Sequence, residues 1–110
     1  MENNQKNIPQ LTNNTIRPWG HFQSLAQGSN YQIKHLFIKP YCRISLQKHL
    51  HRSEHWVVID GIARILKRKK VFIIRENSYV YIPKGVTHRI ENPQNKLLHI
   101  IEVQFGSYLG

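Results

Sequence analysis

The stretch Gln47-Lys48-His49-Leu50-His51-Arg52-Ser53-Glu54-His55-Trp56 places three imidazoles, one carboxylate and one carboxamide within ten residues. It runs directly into the apolar residues Trp56 to Ile59 and stops at Gly61. Residues two apart on an extended strand share a face at a spacing of roughly 6.6 Å, so Gln47, His49 and His51 project together if the strand continues. Glu54 can add an anionic oxygen to those donors. Further on, Pro83-Lys84-Gly85-Val86-Thr87-His88 supplies another imidazole. There the proline fixes φ, the glycine permits a backbone conformation that other residues avoid, and the turn delivers His88 at the head of a new strand. Such nitrogen and oxygen donors suit zinc, iron, manganese or nickel. His51 and His55 stay open between metal ligand, substrate contact and structural residue. The two segments point to a metal site inside a small β-barrel.

Outward from this stretch the chain reads as all-β. From Arg17 onward it consists of short apolar runs rich in β-branched and aromatic residues, with no sustained i, i+3, i+4 pattern. The expected strands are His21 to Ala26, Tyr31 to Lys39, Ile44 to His49, His55 to Asp60, Ile62 to Lys67, Val71 to Arg75, Ser78 to Ile82, His88 to Glu91 and Leu97 to Phe105. Gly28, Pro40, Gly61, Asn77, Gly85 and Pro93 punctuate them. So many short strands without helices fit a closed barrel or a double-sheet jelly roll, which manage exposed sheet edges and can enclose one small ligand. Met1 to Ile16 is rich in Asn and Gln and reads as a flexible polar arm before a single domain from 17 to 110.

The 110 residues support one domain and one site. Sixteen Lys and Arg against six Asp and Glu give a formal charge of +10, which draws in anions such as phosphate groups. The Lys67 to Lys70 run reads as a solvated hairpin turn. Cys42 has no intrachain partner, the N-terminus lacks an apolar leader, and no apolar run approaches the ~20 residues of a membrane helix. A cytoplasmic protein without a membrane partner is expected. Nucleic acid is not an expected partner, because the aromatic residues fall inside apolar runs and the basic excess is spread along the chain. His21, His35 and His99 occur singly and read as partnered core or surface residues.

The spacing Gln47-x-His49-x4-Glu54-x6-Gly61, followed by Pro83-x-Gly85-x2-His88-x3-Asn92, resembles the two cupin motifs, with Gln47 where most cupins carry their first histidine. The strings Arg17-Pro-Trp-Gly20, Leu46-Gln-x-His-x-His-Arg-x-Glu-His-Trp56, Tyr81-Ile-Pro-x-Gly85, His88-Arg-x-Glu-Asn-Pro93 and Glu102-Val-Gln-x-Gly-Ser-Tyr-Leu-Gly110 resemble the C-terminal domain of type II mannose-6-phosphate isomerases. In that family the domain usually follows a mannose-1-phosphate guanylyltransferase domain. The resemblance covers Arg17 to Gly110. It implies a cupin-type jelly-roll barrel, a double-stranded β-helix, that binds one divalent metal through Gln47, His49, Glu54 and His88. Zinc is the foremost expectation, with manganese, iron, cobalt or nickel as the other ions. The implied reaction interconverts mannose 6-phosphate and fructose 6-phosphate, without guanylyltransferase activity. Pairing as a homodimer through edge strands, and a separately encoded guanylyltransferase as partner, are further expectations.

An aldose–ketose isomerisation moves a proton between C2 and C1 through an enediol, so it needs a base, a polariser of the oxygens and a phosphate anchor. The metal would be the polariser. His55, or Glu54 where it is not a ligand, would shuttle the proton. Arg52, Lys84 or Arg89 would meet the phosphate, with His51 as a further substrate contact. Two alternatives stand beside this: a non-catalytic cupin that binds metal and sugar phosphate, and a cupin acting on a nucleotide sugar.

Overall fold

Strand alternation accounts for the architecture seen in a computed structural model, which describes residues 14–107. The elements are β1 (Asn14–Arg17), β2 (Gly20–Gln27), β3 (Tyr31–Ile38), β4 (Arg52–Asp60), β5 (Ile62–Lys67), β6 (Lys70–Arg75), β7 (Tyr79–Ile82), β8 (His88–Glu91) and β9 (Leu98–Gly106). They form a six-stranded sheet in the order β1-β2-β3-β9-β4-β7 and a three-stranded sheet in the order β6-β5-β8, with all pairings antiparallel. No described helix is long and apolar enough to cross a membrane.

In β4 every second side chain is buried from Arg52 to Val58, and in β9 from Leu98 to Gln104. That period of two turns one face of each strand into the barrel. Leu36, Ile38, Val58, Ala63, Ile65, Ile82, Ile90, Leu98 and Ile100 form the apolar core, with Trp56 among them. Asn92 ties the loops together, its Nδ2 donating to the carbonyls of Ile38, Lys39 and Lys96. The Lys67 to Lys70 run is the exposed β5–β6 hairpin turn, as expected.

Two expectations are corrected. The stretch Ile44 to His49 is not a regular strand: it joins β8 only through isolated bridges, Arg43 to Glu91 and Gln47 to His88. The backbone there is an irregular span beside β8; Gln47 and His49 still project together, Oε1 and Nε2 lying 3.1 Å apart, while His51 is exposed. At the N-terminus, Asn14 to Ile16, read as part of the arm, pair with β2 as β1. Thr15 and Ile16 supply the β-branched side chains, and they pair with Phe22 and His21 across the short turn at Pro18 and Trp19. The remainder of the expected arm lies outside the described residues.

Candidate metal centre

His49, Glu54 and His88 converge, one ligand atom from each lying within 4.8 Å of the others. Glu54 sits on β4 facing the barrel interior and is 1% exposed, while His88 opens β8 and is equally sequestered at 3%. The turn before His88 needs its glycine: Gly85 has φ of 78°, and open space around its Cα shows that the requirement is conformational rather than steric. Gly85 N also donates to the His49 carbonyl, pinning the irregular span to the turn.

The tautomer of His88 is fixed by its surroundings. Its Nδ1 lies 2.8 Å from the Val86 carbonyl and can only donate there, so Nε2 carries the lone pair. That Nε2 is buried without a hydrogen-bond partner, 3.7 Å from Glu54 Oε1. His49 Nε2 lies 3.6 Å from Glu54 Oε2 and 3.1 Å from Gln47 Oε1. Ligands at about 2.1 Å from one ion stand roughly 3.0 to 3.4 Å apart, close to these separations. An orphaned imidazole nitrogen beside a carboxylate and a second imidazole fits a divalent metal, with the Gln47 oxygen adjacent.

Arg52, expected as a phosphate contact, borders the cleft and also reaches the metal-facing atoms. Its Nε donates to Glu54 Oε2 at 2.9 Å, and its Nη2 lies 2.9 Å from His49 Nε2. The guanidinium thus shares two of the metal-facing atoms. Burial lowers the pKa of His49, and the Arg52 charge lowers it further, keeping the ring neutral and able to donate a lone pair. Burial alone would raise Glu54, but the hydrogen bond from Glu102 and the charge of Arg52 outweigh it and hold the carboxylate ionised.

Glu102 and Gln104, inward on β9, extend this polar layer. Trp56 Nε1 donates to Glu54 Oε1 at 3.0 Å and to Glu102 Oε2 at 3.2 Å, and Gln104 Nε2 donates to Glu102 Oε1 at 2.8 Å. Burial pushes Glu102 up to about 8, reinforced by the neighbouring charge of Glu54, to which it donates its proton. Lys34 stands opposite Glu102 in the β3–β9 register, and its pKa is lowered, burial being the main cause. Its Nζ lies 4.3 Å from the centre of the Phe22 ring, a cation–π contact.

Beside the metal-facing cluster opens a cleft of about 640 Å³, whose lining includes Gln47, Arg52, Glu102 and Gln104. Arg17, Lys34, Arg43, Arg52 and Arg89 bring five cations to it. With Glu102 protonated at neutral pH, the cleft is strongly positive.

The residues expected at the site divide cleanly. Gln47, His49, Glu54 and His88 come together, and Arg52 and Arg89 border the cleft. Lys84 and His51 are exposed and lie outside its lining. His55, expected as proton shuttle, follows Glu54 on β4 and therefore faces the opposite side of the sheet, where its ring stands 4.8 Å from that of Tyr81. Proximity in sequence put it near Glu54; strand alternation turned it away. Lys34, Glu102 and Gln104 carried no expected role, although polar residues at inward spacing inside the apolar run Leu98 to Phe105 were the available signal.

The family model for the mannose-6-phosphate isomerase C-terminal domain matches residues 3–110. The chain belongs to that family. It is 49% identical over 94 residues to the alginate biosynthesis protein AlgA of Pseudomonas aeruginosa, covering 86% of this chain and 20% of that protein. It is 39% identical over 109 residues to a mannose-1-phosphate guanylyltransferase of Sinorhizobium fredii, covering 99% of this chain and 21% of the relative. The chain therefore spans about a fifth of the length of the curated relatives it matches. Its fold is that of the cupins: a Cupin 2 conserved barrel domain protein from Salinispora arenicola superposes with a TM-score of 0.76 at 18% identity, over 88% of this chain and 84% of that one.

Proposed function

We propose that this cupin domain is a metal-dependent sugar-phosphate isomerase interconverting mannose 6-phosphate and fructose 6-phosphate. The observation that carries the reading is the juxtaposition of the His49–Glu54–His88 cluster with a cleft lined by five cations. Membership of the mannose-6-phosphate isomerase C-terminal family supports the substrate class. Gln47, His49, Glu54 and His88 would hold the metal, with zinc foremost, and that metal would supply Lewis-acid polarisation of the sugar oxygens.

The chain's own residues have three tasks. Arg89 and Arg43 at the cleft, with Arg17, offer planar donors to a phosphate group. Lys34 places a cation where negative charge develops on the substrate oxygens. Glu102, in its ionised form, takes the place of His55 as the group that removes a proton at C2 and returns it at C1, because it lines the cleft and stands beside both Lys34 and Gln104. A carboxyl that titrates near the operating pH suits that role.

The test is an isomerase assay on the 110-residue chain with added zinc, manganese, cobalt or nickel. Turnover of mannose 6-phosphate that falls more than about 100-fold in His49→Ala, together with its metal content, is the expected result. Metal-loaded protein inert toward every sugar phosphate would refute it.

A second reading, a non-catalytic binder of metal and sugar phosphate, draws on the orientation of His55, which leaves the cleft without the imidazole shuttle first expected. Saturable binding of mannose 6-phosphate without solvent proton exchange would favour it.

A further inference from the structure

Phe22 lines the cleft from the strand that lies between two of the cation-bearing strands. On β2 it is paired with Thr15 of β1 on one side and Leu36 of β3 on the other. Two residues along from those partners, on the same side of the sheet, stand Arg17 on β1 and Lys34 on β3. These are the diagonal neighbours that an aromatic side chain on a sheet can reach. The register is matched by contact: Arg17 Cζ lies 5.5 Å from the centre of the Phe22 ring, and Lys34 Nζ lies 4.3 Å from it. All three side chains line the cleft.

Neither cation is neutralised. Among the described residues no carboxylate forms an ion pair with Arg17 or Lys34. Arg17 Nη1 donates to the Ile16 carbonyl, a neutral acceptor, and Glu102 opposite Lys34 is protonated at neutral pH. Burial is the main influence against the charge on Lys34, and Arg52 and Arg17 add to it. A carboxylate between the two cations would hold them but cancel their charge. The face of an aromatic ring attracts cations through its quadrupole and leaves their charge and most of their N–H donors for a ligand.

We propose that Phe22 is a positioning residue, whose ring holds Arg17 and Lys34 at the cleft as two uncancelled cations that bind a phosphorylated sugar. It rests on the sugar-phosphate reading of the cleft and needs no contact between the ring and the sugar. Leucine fills much of the same apolar space, but only an aromatic ring presents a negative face.

Calorimetric titration of mannose 6-phosphate into the intact chain, with zinc added, at low ionic strength and neutral pH, tests it. Phe22 is replaced in turn by mono-, di- and trifluorinated phenylalanine, which weaken the negative face of the ring while nearly keeping its shape. The dissociation constant is expected to rise step by step with fluorination. In Phe22→Leu it rises at least about 5-fold, the scale of a partly desolvated cation–π contact, and in Phe22→Tyr it stays within about 2-fold of wild type. A role in packing alone gives one constant across the fluorinated series. In proton NMR the Lys34 ε-methylene is shifted upfield by the ring, and Phe22→Leu abolishes that shift with the circular dichroism spectrum unchanged. A flat fluorinated series, or wild-type protein without the upfield shift, overturns the inference and leaves the sugar-phosphate reading standing. A wild-type chain that binds no mannose 6-phosphate overturns both.

Discussion

The two faces of the same six-stranded sheet are built from alternate residues of the same strands, yet they share almost no chemistry. Inward, β3, β9 and β4 present Lys34, Glu102, Gln104, Arg52 and Glu54, linked by hydrogen bonds and charge. Outward, the intervening positions carry His35, Ile101, Val103, His55 and Val57. A side chain one residue along moves from a low-dielectric site, where charges strongly shift one another, to a surface of aromatic and aliphatic contacts. Sequence spacing alone places Glu54 and His55 together; the pleat separates them completely.

Breaking the inner face has the largest expected effect. Glu54→Ala removes one acceptor from each of Arg52 and Trp56 and breaks a buried ion pair, which costs about 3–5 kcal/mol in urea denaturation and abolishes metal uptake. Trp56→Phe keeps an aromatic ring in the core but removes one donor from two carboxyl groups. It lowers stability by about 1–3 kcal/mol.

The pH dependence sharpens the comparison further. Glu102 has its folded pKa raised from 4.5 to about 8, so the folded state holds a proton that the unfolded chain releases. The sign follows: metal-free protein is stabilised by this group below the unfolded pKa, and loses that contribution as pH rises from 4.5 through about 8. Thermal denaturation of the metal-free chain across that range should show the decline, and Glu102→Gln should flatten it. The smallest effect belongs to the outer face. His55→Ala changes zinc affinity by less than about 2-fold, since removing an outward side chain leaves every inward ligand in place.

The barrel was legible because strands with β-branched residues at period two and clear turn residues announce themselves, and eight of the strands fall where the pattern puts them, within a few residues. The irregular span from Arg43 to His51 was not, because its pairing with β8 is limited to isolated bridges that local sequence does not encode. For the site, Gln47, His49, Glu54 and His88 were readable from motif spacing. Lys34 and Glu102 were not, since they meet through a register linking positions far apart in the chain. Arg52 was expected at a phosphate and instead grips Glu54 and His49, a placement that depends on the burial of its whole side chain.

The central claim, that His49, Glu54 and His88 converge inside the barrel to build a metal site against the inner face of this sheet, is tested most directly by zinc content after loading and desalting. Wild-type protein and His55→Ala should each retain one zinc per chain, and His88→Ala should retain essentially none while keeping its circular dichroism spectrum. Equal zinc in wild type and His88→Ala, or none in any of the three, would contradict it.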